Sequence, residues 1–316
     1  MMLFLHLFNQ LDNCGLTRPL LMLGDIPFIY YLTRACGPVP FFLFVSGVGL
    51  SISYQKQNNS FKRGIKRLLK LYIHFWFILT CFLIFAHILK PNEYPGSFIL
   101  LIANYTSLFY TYNSTYWFLA PYALISLTSP FLFKIFEKYN GMTILIITFV
   151  ISLCTSFVIS RYGTLYLYEN VWIYTPVLYF HFLFMFSLGA ICTKTKFWGI
   201  PEKKKRYRLT LYIFLFSLIT IRCFFSSSAF HNIYVFVFIL LFLALPKSKP
   251  TRFLLINFGK NSMNIWLIHA WLYQYLFKDF IYGFEYPLII FVVLASISYL
   301  LSVVVNFILE PIVKRI

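Results

Sequence analysis

Long apolar blocks dominate this chain and restrict what it can fold into. They run for roughly 16 to 24 residues, the length that an α-helix needs to cross about 30 Å of hydrocarbon. Only 11% of the residues are charged, whereas soluble domains average about 25%. So few charged groups cannot cover the surface of a soluble fold of 316 residues. The pattern therefore predicts an all-α, polytopic integral membrane protein.

The blocks predict about ten transmembrane helices. Residues 1–11 have the composition of a helix that is short or truncated, and nine longer blocks follow. The segment 97–112 is apolar but short and rich in tyrosine, so we expect a re-entrant or interfacial element there. No repeat or soluble domain is visible, and residues 1–316 are predicted to form one domain. The nine blocks are 38–54, 68–89, 115–136, 142–161, 172–193, 208–224, 230–245, 261–279 and 286–309.

The distribution of positive charge predicts the topology. Of the 27 Lys and Arg residues, 21 fall in alternate loops or at the C-terminus. Cytoplasmic loops carry the excess of Lys and Arg, so both termini are predicted to be cytoplasmic, which agrees with an even number of spans. The net charge of +18 then reflects topology, and we expect membrane lipids as partners and no nucleic acid.

Ionisable side chains inside apolar helices mark candidate sites, because burying them in a membrane costs free energy. His6 lies in an apolar stretch with no carboxylate three or four residues away. A neutral imidazole there either hydrogen-bonds a neighbouring helix or acts as a general base that takes a proton from a hydroxyl. His181 and His269 also lie in predicted spans, and packing is the simpler interpretation for both.

A basic run precedes the block that begins at residue 68, and it contains Arg63, Lys66 and Arg67. One interpretation is a charge cluster that fixes the topology and contacts anionic headgroups. The other is a docking site for a polyanionic cytoplasmic ligand. Arg63 and Arg67 are four residues apart and share one helix face, where two guanidinium groups can hold phosphates.

Small residues occupy the middle of the block 38–54. Ser46, Gly47 and Gly49 allow neighbouring helices to approach closely, and such packing is sufficient to explain them. The sequence contains no GxSxG motif, no phosphate-binding Gly-rich loop and no cluster with metal-ligand spacing. We therefore predict no metal site and no permanently bound cofactor.

Motifs in order along nearly the whole chain resemble acyltransferase family 3, a family of integral-membrane O-acyltransferases that modify surface glycans. Each motif is short, and the ordered set is more specific than any one of them. The resemblance rests on residues 41–47 (FFxxSG), 63–72 (RLLPLY, with Lys70 in place of proline), 116–119 (WFL), 258–269 (LGKNSYxIYLIH) and 309–312 (EKP or ERP).

The resemblance implies transfer of an acyl group, acetyl first and succinyl as the alternative, from cytoplasmic acyl-CoA to a hydroxyl of a cell-surface or lipid-linked polysaccharide. The setting would be a bacterial plasma membrane. His6 falls on the family's essential histidine and would be the general base. Arg63 and Arg67 fall on its arginine pair, although the family usually has RxxR and this chain has RxxxR. With Lys66 they would bind the phosphates of acyl-CoA.

Ser46, Tyr116 and Trp117 are the candidate donors to the oxyanion or the substrate, because a tetrahedral intermediate needs preorganised hydrogen bonds. The family also has an arginine eleven residues before the histidine, a position that would precede Met1. We therefore expect either a start further upstream or a catalytically inactive relative. A polysaccharide polymerase or flippase is the other alternative, and a requirement for acyl-CoA distinguishes it from an acyltransferase.

Overall fold

The computed structural model describes residues 1–57, 61–194, 207–225 and 230–316. Residues 195–206, which carry most of one predicted cationic loop, lie outside the described residues. Most of the described chain is helical, which confirms the predicted all-α class. The one addition within these ranges is an antiparallel hairpin of β1 (Met22–Leu23) and β2 (Ile26–Pro27). Its turn contains Gly24 at φ +61°, a conformation that glycine adopts without steric cost.

Fourteen α-helices occupy the described residues, together with one 3₁₀ turn and two π turns. The 3₁₀ turn is Ser114–Phe118, and the π turns are Gly163–Leu167 and Trp271–Leu276. The helices are α1 (Met2–Phe8), α2 (Leu11–Gly15), α3 (Phe28–Thr33), α4 (Pro38–Gln57), α5 (Phe61–Leu89), α6 (Phe98–Tyr105), α7 (Leu119–Lys138), α8 (Gly141–Tyr162), α9 (Val171–Cys192), α10 (Arg208–Phe224), α11 (His231–Ala244), α12 (Lys249–Ala270), α13 (Lys278–Tyr282) and α14 (Pro287–Val313).

Six helical segments of the described chain are long and apolar enough to cross a membrane, and α11 is a shorter apolar helix. The protein is therefore a multi-pass helical membrane protein. Helix α1 has seven residues and is about 10 Å long, in agreement with the short first helix that was predicted. The number of ten spans and the cytoplasmic placement of both termini stay predictions. The six segments are Phe28–Lys56, Phe61–Leu89, Ser114–Lys138, Gly141–Leu167, Val171–Cys192 and Pro287–Val313.

Two helices begin well before the apolar blocks that predicted them. Helix α12 begins at Lys249 and not near residue 261, because Ser248 caps it by accepting a hydrogen bond from the Thr251 amide at 3.3 Å. Helix α5 begins at Phe61, within the basic run. Hydropathy detects the membrane-length part of a helix, whereas capping residues determine where the helix begins.

The chain forms two compact units. The terminal unit comprises Met1–Cys36, Leu69–Trp117 and Lys247–Ile316, and the central unit comprises Gly37–Leu68 and Phe118–Pro246. The first eight residues of α5 belong to the central unit, and the rest of α5 belongs to the terminal unit. The assignment of residues 1–316 to one domain stays a prediction.

Helix α9 is the core of the central unit and packs against α4, α7 and α8. The contact with α4 is the closest. A Cβ built on Gly47 would lie 2.1 Å from the Phe186 carbonyl oxygen, and one built on Gly189 would lie 2.0 Å from the Phe44 carbonyl oxygen. Glycine is therefore required on both helices at this contact. Gly49 is exposed and has open space around it, so the predicted close approach is confirmed for Gly47 and wrong for Gly49.

Helices α12 and α14 of the terminal unit are joined by a cluster of three amides, buried Asn261 and Asn264 and half-buried Asn306, which we call the amide cluster. Asn306 donates to the Asn261 side-chain oxygen at 2.9 Å, and Asn264 donates to the Asn306 side-chain oxygen at 2.8 Å. Ser302 donates to Asn261 at 2.8 Å, and His74 Nδ1 of α5 lies 2.9 Å from the Asn264 side-chain oxygen. Hydrogen bonds of this kind hold membrane helices together.

Candidate active site

Two histidines from opposite ends of the sequence meet in the terminal unit. His6 of α1 and His269 of α12 have ring centres 5.1 Å apart, with ring planes inclined at 47°. His6 is half-buried, whereas His269 is fully buried. We call these two residues the imidazole pair. Two neutral imidazoles at this distance can accept, donate and hold a proton.

Local contacts fix both members of the imidazole pair. Tyr282 donates a hydrogen bond to the Leu7 carbonyl at 2.8 Å, and so holds the end of α1 next to His6. His269 Nδ1 lies 2.7 Å from the Trp266 carbonyl oxygen, one turn earlier in α12. The ring of Tyr273 stacks on His269 with centres 5.8 Å apart. The orientation of the pair is therefore set by backbone and aromatic contacts.

Tyr116 lies in the core of the terminal unit, in the 3₁₀ turn that precedes α7. Its hydroxyl donates to the Leu267 carbonyl at 2.8 Å and accepts from the Trp271 indole at 2.8 Å. A tyrosine hydroxyl has a single proton, and here that proton is used to hold α12. Trp117, the next residue, is half-buried.

The predicted phosphate-binding residues lie in the first turns of α5, in the part that belongs to the central unit. Arg63 and Lys66 are exposed, and Arg67 is half-buried. Gly64 is buried, and a Cβ there would lie 3.8 Å from the Ser126 carbonyl oxygen. The helix thus packs on its glycine side and presents Arg63, Lys66 and Arg67, which we call the basic face, as a site that can bind an anion.

Ser46 and Arg67 come together around a residue that the sequence analysis did not single out. The Tyr122 phenol lies within electrostatic reach of the Ser46 hydroxyl and of the Arg67 guanidinium. The ring of Tyr122 also contacts Phe42, with ring centres 5.1 Å apart. This group of Ser46, Arg67 and Tyr122 offers hydroxyl and guanidinium donors at one place in the central unit.

The predicted residues thus fall into two groups. His6, Tyr116 and Trp117 belong to the terminal unit, whereas Ser46 and the basic face belong to the central unit. His269 was assigned to packing, since no spacing rule connects residues so distant in sequence. No feature of the sequence distinguishes Tyr122 from the other tyrosines, so its place beside Ser46 and Arg67 becomes visible only in the structure. The catalytic and binding roles themselves stay predictions.

Comparison with known protein families identifies a match over almost the whole chain. The model of acyltransferase family 3, described as an acyltransferase domain, matches residues 1–309. No curated protein and no solved structure matches the chain. The family match extends over almost the whole sequence and agrees with the helical membrane fold described above, so this chain belongs to acyltransferase family 3.

Proposed function

We propose that this protein is a membrane O-acyltransferase that moves an acyl group from cytoplasmic acyl-CoA to a hydroxyl of a cell-surface or lipid-linked polysaccharide. Acetyl is the proposed acyl group, and a bacterial plasma membrane is the proposed setting. The observation that carries the proposal is the imidazole pair, with ring centres 5.1 Å apart in a membrane acyltransferase. Histidine near neutrality is suited to deprotonating a hydroxyl.

His6 acts as the general base in the proposed reaction. The hydroxyl oxygen of the sugar attacks the thioester carbon while its proton passes to His6. The new C–O bond forms, the C–S bond breaks, and the proton then moves from His6 to the sulphur of the departing CoA. General-base catalysis of this kind contributes about 10²- to 10⁴-fold in rate.

The basic face binds the phosphates of acyl-CoA in this proposal. Arg63 and Lys66 are exposed and reachable by a ligand, and Arg67 is half-buried beside Tyr122. Guanidinium groups bind phosphate through paired hydrogen bonds, and an ammonium group adds a point charge. Acyl-CoA is a co-substrate here and leaves after each turnover.

Ser46 and Trp117 are the proposed donors to the oxyanion or the substrate. The Ser46 hydroxyl lies beside the Tyr122 phenol and near the Arg67 guanidinium. Removing one oxyanion donor from an acyl-transfer enzyme typically costs 10²- to 10³-fold in kcat. For Tyr116 we propose a structural role, because its proton is donated to Leu267.

The test of the reaction uses the purified chain in lipid nanodiscs with radiolabelled acetyl-CoA and bacterial surface polysaccharide. We expect label in the polysaccharide with the wild type and none above background with His6→Ala. His87→Ala is the matched control, because His87 is exposed and its Nδ1 lies 2.8 Å from the Tyr94 carbonyl oxygen. Equal thermal stability of the two variants shows that a loss is chemical.

Two results would contradict the proposal. Wild-type transfer in His6→Ala would remove His6 as the base. Transfer that occurs without any acyl-CoA, or no release of CoA thiol from a panel containing acetyl-CoA and succinyl-CoA, would remove the proposed donor.

The basic face is tested separately through the donor. Arg63→Ala and Lys66→Ala should each raise KM for acetyl-CoA about 10-fold, because a charge-assisted hydrogen bond to phosphate contributes about 1.5–3 kcal/mol. They should leave kcat within about two-fold. Lys134→Ala is the matched control, since it removes an equal charge from an exposed position of α7. An equal rise in KM for Lys134→Ala would show that the effect comes from the change in net charge and not from lost phosphate binding at the basic face.

A further inference from the structure

The hydrogen bond at Nδ1 of His269 determines where its ring proton lies. The partner at 2.7 Å is the Trp266 carbonyl oxygen, and a carbonyl can only accept. Nδ1 of the neutral ring must therefore carry the hydrogen, which leaves Nε2 as a lone pair that can only accept. Among the described residues no group bonds to this Nε2, although it is buried. A buried acceptor without a donor is destabilising.

His6 is the group that can supply the missing hydrogen. Tyr273 is the other polar side chain that contacts the His269 ring, but its hydroxyl donates to the Gln274 side-chain oxygen at 2.9 Å. An imidazole nitrogen lies about 1.1 Å from its ring centre, so two rings joined by a hydrogen bond of about 2.9 Å have centres about 5 Å apart. The imidazole pair has ring centres 5.1 Å apart. Rotation of the His6 ring about its Cβ–Cγ bond aims a nitrogen without moving either helix.

We propose that His269 is the positioning residue of His6. Its Nε2 accepts the hydrogen of one His6 nitrogen, and the other nitrogen of His6 then presents its lone pair to the substrate hydroxyl. This inference rests on the proposed function, in which His6 is the base. The difference in burial assigns the roles, because half-buried His6 can meet a substrate and fully buried His269 cannot.

The same bond contributes to the rate. When His6 takes the proton it becomes a cation, and its bond to His269 becomes charge-assisted and stronger. The gain appears only as charge develops, so it lowers the barrier instead of tightening substrate binding. A neutral imidazole in this role also avoids burying a second charge in the membrane interior.

Two substitutions of similar size separate positioning from packing. His269→Gln retains an acceptor close to the place of Nε2, whereas His269→Leu fills the space without one. We expect His269→Leu to lower kcat about 10- to 100-fold and to leave KM for acetyl-CoA within two-fold. His269→Gln should have a kcat that lies, on a logarithmic scale, at least halfway back from the His269→Leu value to the wild-type value. Equal kcat values in the two variants, or a wild-type value in His269→Leu, would overturn the proposal.

A spectroscopic measurement tests the bond independently of transfer. Imidazole ¹⁵N shifts of the labelled protein, with the His6 signals assigned by their loss in His6→Ala, report which nitrogen carries the hydrogen. We expect one tautomer of His6 in the wild type and in His269→Gln, and two in His269→Leu. A mixture in the wild type would overturn the inference. A single tautomer with no transfer would uphold the hydrogen bond and reject the proposed function instead.

Discussion

Replacing Gly47 by alanine should separate α4 from α9. The added Cβ would lie 2.1 Å from the Phe186 carbonyl oxygen, where ordinary contacts begin at 3.4 Å. The obstacle is backbone, which cannot move aside as a flexible side chain does, so the helices must part locally by more than 1 Å. The hydrogen bond between Ser51 and Thr193, 2.8 Å long and one turn further along the same contact, should weaken with them.

The expected cost follows from these distances. Overpacking of a tight contact costs about 1–3 kcal/mol, and the better helix propensity of alanine returns less than about 1 kcal/mol of that. A net loss of about 2 kcal/mol corresponds to a fall in Tm of roughly 3 °C for a chain of 316 residues. Gly49→Ala, two residues away with open space around it, should leave Tm unchanged or slightly higher.

Tryptophan fluorescence during heating measures both variants, purified in the same detergent and scanned at one rate because membrane proteins often unfold irreversibly. Gly189→Ala should repeat the loss, since its Cβ would meet the Phe44 carbonyl at 2.0 Å. The double variant Gly47→Ala/Gly189→Ala should lose less than the sum, because one separation of the helices relieves both overlaps. Equal Tm values for Gly47→Ala and Gly49→Ala would refute the close-contact reasoning.

Three further outcomes follow from contacts in the terminal unit. Tyr116→Phe should lower the free energy of unfolding by about 1–3 kcal/mol, because the Leu267 carbonyl and the Trp271 indole both lose their hydrogen bond to the hydroxyl. Tyr139→Phe, at an exposed position, is the control. Equal Tm values for the two variants would contradict the structural role of the Tyr116 hydroxyl. Asn261→Leu should lower Tm more than Gly259→Ala, since the amide cluster loses its shared acceptor whereas Gly259 has open space. Tyr94 lies in the loop after α5, and burial raises its pKa to about 12. The folded state therefore holds the phenol proton more tightly than the unfolded state does. The free energy of unfolding should fall as pH rises from about 10 towards 12. In Tyr94→Phe that decline should be shallower in a pH series of thermal melts, and an unchanged slope would speak against it.

The helices that cross the membrane could be predicted because their apolar length is a direct consequence of bilayer thickness. Helix α8 was predicted over 142–161 and observed over Gly141–Tyr162. The start of α12 was missed for the same reason, since its first turn, at residues 249–252, is polar. Ser248 and the proline after it mark that start, and capping residues of this kind are the signal that hydropathy leaves out.

The candidate site was predictable only in part. His6 stands out because a lone imidazole in an apolar helix is costly, and the basic run stands out by charge. His269 looked like a packing residue, since its partner lies at the other end of the chain and only the contacts of α1 and α12 bring the two rings together. The role of Tyr122 was hidden as well, because one tyrosine among 24 has no distinguishing mark until its neighbours are known.

One backbone carbonyl determines the direction in which the hydrogen bonds of the amide cluster run from donor to acceptor. Asn261 donates to the Asn257 carbonyl at 2.9 Å, so its side-chain oxygen must face the other way and receive Asn306. Each amide thereby fixes which atom of the next amide donates and which accepts. The last side-chain oxygen, on Asn264, can then only accept the hydrogen of His74 Nδ1. The tautomer of His74 is therefore dictated by a carbonyl almost two hundred positions away in sequence. No single amide in this row can turn over by itself, so reversing it requires all three to turn together.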